Sequence, residues 1–308
     1  MHLIVPFAGV LSDAGRQALH ALPLPRLDAL LARLTPTAAD TADEFSLSPP
    51  HERALAAALG WRRADGCQPW AARLAAGSAG ALTGDLPWGL LTPVHLHLGT
   101  EQVTLFDPAA LQLRLDESHE LLDAIRPLFE TEGFTLHAGA DPLQWLATHE
   151  LFDGLATASL DRVIGRNIDA WLPATTQARL LRRLQNEVQM LLYTHPLNEH
   201  REAAGALTIN SFWLSGCGRA QPASSDEPTI EDRLRGLALS EDWTAWREAW
   251  TALDAGPIAA LVDRPAPLQL TLCGERSAQR FELAARSLWQ RATGALRRPD
   301  LHTMLETL

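Results

Sequence analysis

An α/β fold is the class this sequence predicts, and three observations predict it. Short apolar runs at residues 3–5, 207–215 and 267–273 have the length of strands rather than of helices. Amphipathic helices stand among them at 24–34, 48–61, 178–193 and 241–253. Glycine or proline punctuates the boundaries, at Pro6, Gly9, Gly60, Gly205 and Gly274. A chain of 308 residues accommodates one large core, or one core with a substantial inserted domain.

The first strand is Leu3–Val5, broken by Pro6 and followed by Gly9, which suits a buried strand ending in a loop. Leu27, Leu30, Leu31 and Leu34 fall on one stripe of the helix over 24–34, with Pro25 near its start. Residues 35–48 are polar, broken by Pro36, and read as a loop. The helix over 48–61 is entered after proline, carries Glu52 in its first turn and ends at Gly60. Residues 64–91 are rich in Gly, Ala and Trp, with a short helix after Pro69. The AGSAG run around Ser78 lacks the glycine spacing of a serine-hydrolase elbow, so no esterase triad is supported.

The pattern changes between Pro93 and Pro173. VHLHLG and QVTLFDP read as two strands joined at Gly99-Thr100-Glu101, residues 118–130 as a helix and FTLHAG as a third strand. His95 and His97 share one strand face, the geometry of a metal pair, but no third ligand is spaced nearby and a polar sheet face accounts for them. Asp161, Arg162, Arg166, Asn167 and Asp169 lie among apolar residues, with Gly165 permitting close approach. Arg162 and Arg166 offer fork-shaped donors suited to phosphate or carboxylate, and an internal salt-bridge network would use the same side chains.

The helix over 178–193 is apolar at Leu180, Leu181, Leu184, Val188, Leu191 and Leu192. Residues 195–218, HPLNEHREAAGALTINSFWLSGCG, then end a helix, turn at Gly205, form the strand 207–215 and close on a loop at Gly216-Cys217-Gly218. A polar loop, 219–229, follows in place of a helix, so this is not a dinucleotide fingerprint. Trp243, Trp246 and Trp250 share one stripe of the helix over 241–253, as core or as a partner surface. PLQLTLC is the last strand; Gly274–Ser277 turns the chain into a helix over 278–292.

Composition bounds the function. A hydrophobic fraction of 46% and a charged fraction of 20% are those of a globular protein, so disorder is not the default. A net charge of -11 and a pI near 5.4 argue against nucleic-acid binding, which needs basic surface to neutralise phosphates. The sequence contains no lysine, which removes Schiff-base catalysis and a P-loop lysine. Cys67, Cys217 and Cys273 are widely spaced and expected to be reduced, in a cytoplasmic setting. The first residues lack a secretory pattern and no run has the length of a membrane helix, so neither export nor a membrane partner is expected.

The order of His195, Pro196, Asn198, Arg201, Gly205, Asn210, Trp213, Gly216 and Gly218 resembles a segment of the archaeal-type cofactor-independent phosphoglycerate mutases. The chain is also similar to proteobacterial RpfE-type regulators. Pro25, Leu27, Asp28 and Leu30 resemble a further helix of the mutase family. The resemblance implies an alkaline phosphatase-like core, with a mostly parallel sheet flanked by helices, formed by 1–92 and 174–308. It also implies a small inserted α+β domain at 93–173.

The resemblance further implies where chemistry would sit. In the family an Asp-Gly pair after the first strand binds metal, and here Phe7, Ala8 and Gly9 stand there. The family's phosphoryl-carrying serine and the aspartate after it correspond to His51 and Glu52, within a run matched at Pro49, Ala54, Leu59 and Gly60, with Ser48 the adjacent hydroxyl. The family's last Asp-His pair corresponds to Gly274-Glu275. A two-metal site needs deprotonated ligands at fixed positions, so no metal and no other cofactor is expected.

The resulting expectation is a metal-free, non-catalytic phosphoglycerate mutase-like protein with a binding or regulatory role, sensing a small anionic or phosphorylated metabolite. His51, Glu52, Arg53, Asn210, Glu275 and Arg276 would surround that ligand, with Arg162, Arg166 and Trp213 as further binding residues. The alternative is a phosphoglycerate mutase or phosphoryl-transfer enzyme with a non-standard site, His51 as acceptor, Glu52 as proton carrier and the arginines as clamp. A homodimer or a protein partner on the tryptophan stripe stays open.

Overall fold

The computed structural model describes residues 1–77, 85–100, 102–173, 178–222, 224, 226–283 and 301–308. Its first elements are β1 (His2–Val5), α1 (Asp13–His20), α2 (Pro25–Arg33), β2 (Thr35–Thr41), α3 (Pro50–Ala58), α4 (Trp70–Gly77), β3 (Trp88–Val94), β4 (Leu96–Leu98) and β5 (Val103–Leu105). Then come α5 (Leu115–Glu130), β6 (Thr135–Ala138), β7 (Trp145–Thr148), α6 (Leu160–Val163), α7 (Ala178–Tyr193), α8 (Pro196–Ala203) and β8 (Ser211–Gly218). The last are β9 (Thr229–Ile230), α9 (Arg235–Leu239), α10 (Trp243–Leu253), α11 (Ala259–Val262), β10 (Gln269–Cys273), β11 (Ser277–Glu282) and α12 (Leu301–Glu306). Among the described residues no helix is long and apolar enough to cross a membrane.

The chain divides into two compact units. One comprises Met1–Glu44, Pro49–Trp61 and Ala223–Leu308, the other Phe45–Ser48 and Arg62–Pro222. Residues 93–173 form the middle of the second unit.

The first unit carries a five-stranded mixed sheet in the order β2-β11-β10-β1-β9. β1 runs parallel to β9 and β10, whereas β10–β11 and β11–β2 are antiparallel. The mostly parallel sheet expected from the resemblance is therefore not the one that forms. The cause is local: Gly274 N–H donates to Ser277 O at 2.9 Å, folding the chain straight back, and a tight connection can join only antiparallel neighbours.

Two elements expected otherwise follow from the same hairpin. Residues 277–282 are a strand, not the start of a helix, and 284–292 lie outside the described residues. Residues 35–41, expected as a loop, pair with β11 as the end strand, a position that tolerates Pro36. One face of the sheet presents Leu3, Val5, Leu270, Leu272 and Phe281 to a core shared with Leu27, Leu30, Trp246, Trp250 and Leu261. The other face carries Ile4, Cys273 and Ala278 against Ala54 and Leu55 of α3. Two of the three stripe tryptophans, Trp246 and Trp250, are thus core; Trp243 is half-buried against them.

The second unit carries an antiparallel sheet in the order β6-β7-β3-β8, with the apolar faces of α5 and α7 in its core. The β4–β5 hairpin forms where the sequence placed it. The 195–218 run is the unit's main polar fastening. His195 caps α8 by accepting from Leu197 N–H at 3.2 Å. The Asn198 amide donates to Leu192 O at 2.8 Å and Ile209 O at 2.6 Å, and accepts from Ile209 N–H at 2.9 Å. Arg201 donates to Leu207 O at 2.9 Å, to Glu117 at 2.9 Å and to Leu111 O. Gly216-Cys217-Gly218 is not a loop but the end of β8. Gly216 has φ +64, and a Cβ there would stand 3.0 Å from that of Trp70.

Arg201 and Glu117 are only 7% and 13% exposed, so deleting the cation strands a buried carboxylate. Arg201→Met is expected to lower unfolding free energy by roughly 3–5 kcal/mol. Arg114→Met, at the pair with Asp116 in which both side chains are 67% exposed, is expected to leave it unchanged, both read from urea unfolding.

Candidate functional site

Phe7, the residue after Pro6, takes a left-handed backbone conformation with φ 53, uncommon for an aromatic residue. Two hydrogen bonds hold it there: Ala8 N–H donates to Cys273 O at 2.7 Å, and the Trp246 indole donates to Phe7 O at 3.2 Å. Its ring centre is 5.4 Å from that of His51. His51, Glu52 and Arg53 form the first turn of α3, where a carboxylate is favourable to the helix dipole. Arg53 donates to Asp40 at 2.6 Å and to Arg276 O at 3.3 Å. Glu275 accepts from Leu11 N–H at 3.1 Å, and Arg276 pairs with Glu44 at 2.8 Å. The end of β1, the start of α3 and the β10–β11 turn thus gather His51, Arg53, Glu275 and Arg276, the charges of the two arginines each facing a carboxylate of the same unit.

The space between these strand ends is filled by protein. Gly9 and Gly274, at the ends of β1 and β10, face the last residues of the chain. A Cβ on Gly9 would overlap Leu305 O, and one on Gly274 would overlap the backbone of Leu308. Arg276 and Ser277 N–H donate to Leu308 O at 3.0 and 2.8 Å, and Ser277 Oγ donates to Thr307 O at 3.0 Å. Leu305 is fully buried and Leu308 nearly so. Behind them, His302 donates to Leu22 O at 3.0 Å and His20 meets Glu306 at 2.7 Å.

Two divalent ions, which the mutase resemblance implies, do not fit here. The first-strand position offers an aromatic ring, Glu275 holds a backbone N–H, and Leu308 is seated on Gly274. Among the described residues no three His, Cys, Asp or Glu side chains converge where one ion could sit.

The remaining named residues, Cys273 of the first unit apart, belong to the second unit. The Asn210 amide pairs with both backbone groups of Leu96 at 2.8 Å, acting as an extra rung beside β4. The Trp213 indole donates to Ala158 O at 2.9 Å and is buried. Arg162 is buried, donates to Ser46 O at 2.8 Å and stacks over Trp171 at 5.3 Å. Arg166 is exposed. Ser48, the neighbouring hydroxyl, donates to Gln68 at 2.7 Å and accepts from Gly66 N–H at 2.9 Å. His95 lies 2.8 Å from Thr208 O, and His97 stacks on Phe106. Burial pushes the Cys217 and Cys273 thiols well up, so neither is a ready nucleophile. Ser78 lies outside the described residues.

No family model matches the chain. A curated relative does: over 119 residues it is 28% identical to the probable 2,3-bisphosphoglycerate-independent phosphoglycerate mutase of Geobacter sulfurreducens. The chain is similar to a phosphoglycerate mutase. That alignment covers 39% of this chain and 30% of the relative, so it spans less than a third of the relative's length. Among solved structures, the cofactor-independent phosphoglycerate mutase from Thermoplasma acidophilum aligns over 93% of this chain and 90% of its own at 12% identity, TM-score 0.37. The PH0037 protein from Pyrococcus horikoshii aligns over 91% and 87% at 12% identity, TM-score 0.46.

Sequence reasoning missed Leu305 and Leu308 as residues packed into this candidate site. The available signal was the pair of glycines after β1 and β10, Gly9 in the loop and Gly274 at the turn, because a missing Cβ there leaves room for a close backbone neighbour. Gly274→Ala is expected to destabilise by roughly 1–3 kcal/mol, since the added methyl must move Leu308. Gly236→Ala, in a helix and in open space, is expected to be neutral or stabilising by up to about 1 kcal/mol; thermal unfolding of the two variants checks both.

Proposed function

We propose that this chain is a phosphoglycerate mutase-like protein without the family's metal-dependent phosphoryl transfer, and that it serves as a binding or regulatory protein for a small anion. The supporting observation is the seating of Leu305–Leu308 between Gly9 and Gly274, where the resemblance calls for metal ligands. Similarity to the Geobacter sulfurreducens mutase supports the ancestry, and the substitutions at Phe7, His51 and Gly274-Glu275 support the loss of its chemistry. On this reading 1–92 and 174–308 carry the alkaline phosphatase-like core, and 93–173, which lies within the second unit, is the insertion.

The arginines support the anion role through number and type: every basic side chain of the protein is a guanidinium, which binds carboxylate or phosphate through two parallel N–H groups. The test is metal analysis of the purified protein together with a mutase assay on 3-phosphoglycerate in the presence of manganese. Expected are substoichiometric metal and no turnover above buffer. Stoichiometric divalent metal, with turnover abolished by His51→Ala, would establish the phosphoryl-transfer alternative instead.

A further inference from the structure

Residues 301–308 lie on the first unit as a short amphipathic helix, α12, and the two residues after it. Leu305 and Leu308 belong to the core cluster that contains Leu3, Val5, Leu19 and Leu272, and Leu301 and Met304 pack against it. Thr303 and Thr307 are exposed. The four apolar residues stand at i, i+3, i+4 and i+7, the anchor spacing of a helical peptide laid into an apolar groove.

The seat is shaped for such a helix. Gly9 and Gly274 lack a Cβ where the helix end passes, and one on either would overlap the backbone of Leu305 or Leu308. Oxygens at a helix C-terminus have no partner within the helix. Here the groove supplies partners: Arg276 and Ser277 N–H donate to Leu308 O at 3.0 and 2.8 Å, and Ser277 Oγ donates to Thr307 O at 3.0 Å. The rim is polar, with His302 donating to Leu22 O at 3.0 Å and an exposed His20 meeting Glu306 at 2.7 Å. A helix of six residues does not stand alone in water, so α12 owes its order to the seat. What is gained by burying two leucines is of the order of what fixing eight residues costs. A contact so balanced opens locally, without the sheet beneath it.

We propose that this seat is a docking groove for an amphipathic helix of a partner protein, with apolar residues at i, i+3, i+4 and i+7, and that 301–308 is its built-in competitor. The competitor is tethered, so the partner's affinity is reduced by the fraction of molecules in which the groove is open. The partner role stands beside the anion role and does not rest on it, and metal and turnover measurements leave it untouched.

The probe is a fluorescein-labelled peptide of the sequence 301–308, titrated by anisotropy against the full chain and against full-length Leu305→Asp. A charge at this buried position undocks the chain's own segment. Leu305→Asp is expected to bind the peptide saturably and at least tenfold more tightly than the unsubstituted chain does. A peptide carrying the same Leu305→Asp change is expected not to bind. Should the variant not fold, hydrogen exchange on the unsubstituted chain decides: the amides of Arg276, Ser277 and Leu305 are expected to exchange together, at least tenfold faster than those of Leu270 and Leu272 in β10. No saturable binding by a folded Leu305→Asp chain, equal affinity of the two chains, or exchange of Arg276 and Ser277 only with β10 would overturn the proposal. So would a concentration-dependent dimer that Leu305→Asp abolishes, because a second copy would then be the occupant.

Discussion

The contact on which the site depends is the seat of Leu308 on the β10–β11 turn. Two backbone N–H groups, of Arg276 and Ser277, converge on one oxygen of Leu308, and Gly9 and Gly274 supply the room. Converging N–H donors at a strand end are what an α/β protein commonly offers to an anion. Here a Leu308 oxygen of the same chain takes them, while Leu305 and Leu308 extend the apolar core to the strand ends. The position therefore contributes to cohesion.

The second unit shows the same economy. Its most distinctive motif, His195 to Arg201 with Asn210 and Trp213, consists of side chains that hold backbone groups: a helix cap, an amide bridging Leu192 and Ile209, a guanidinium on two carbonyls and a carboxylate. Such residues are costly to replace, because each loss strands buried polar groups. The mutase resemblance seen in the sequence thus falls largely on residues that hold the backbone of this unit. A resemblance of this kind reports scaffold, and function has to be argued from the site.

Much of the scaffold was legible because its signals are local. The 3.6-residue period at Leu181, Leu184 and Val188 located α7, the glycine at 205 located the turn after α8, and the spacing of Trp246 and Trp250 put them on one helix stripe, which the structure buries. What failed to show in the sequence depends on pairing. Residues 277–282 look helical beside the Ala-rich run that follows, yet the Gly274–Ser277 turn brings them against β10, and tertiary pairing overrides propensity. Thr35–Thr41 is polar enough for a loop and becomes a strand because β11 offers it an edge. The candidates were legible only as residue types; of them Arg53 meets Arg276 O, with His51 and Glu275 beside these two in sequence. Their partners were not, because Asp40, Glu44 and Leu308 reach them across long sequence separations that no spacing rule records.

The central claim is that protein atoms, not ions, occupy the ends of β1 and β10. Manganese titration watched by amide resonances tests it most directly, since a bound paramagnetic ion erases signals around it. The account predicts that Ala8, Gly9, Gly274 and Glu275 keep their intensities at stoichiometric manganese. Selective loss of those four signals, reversed by a chelator, would contradict it.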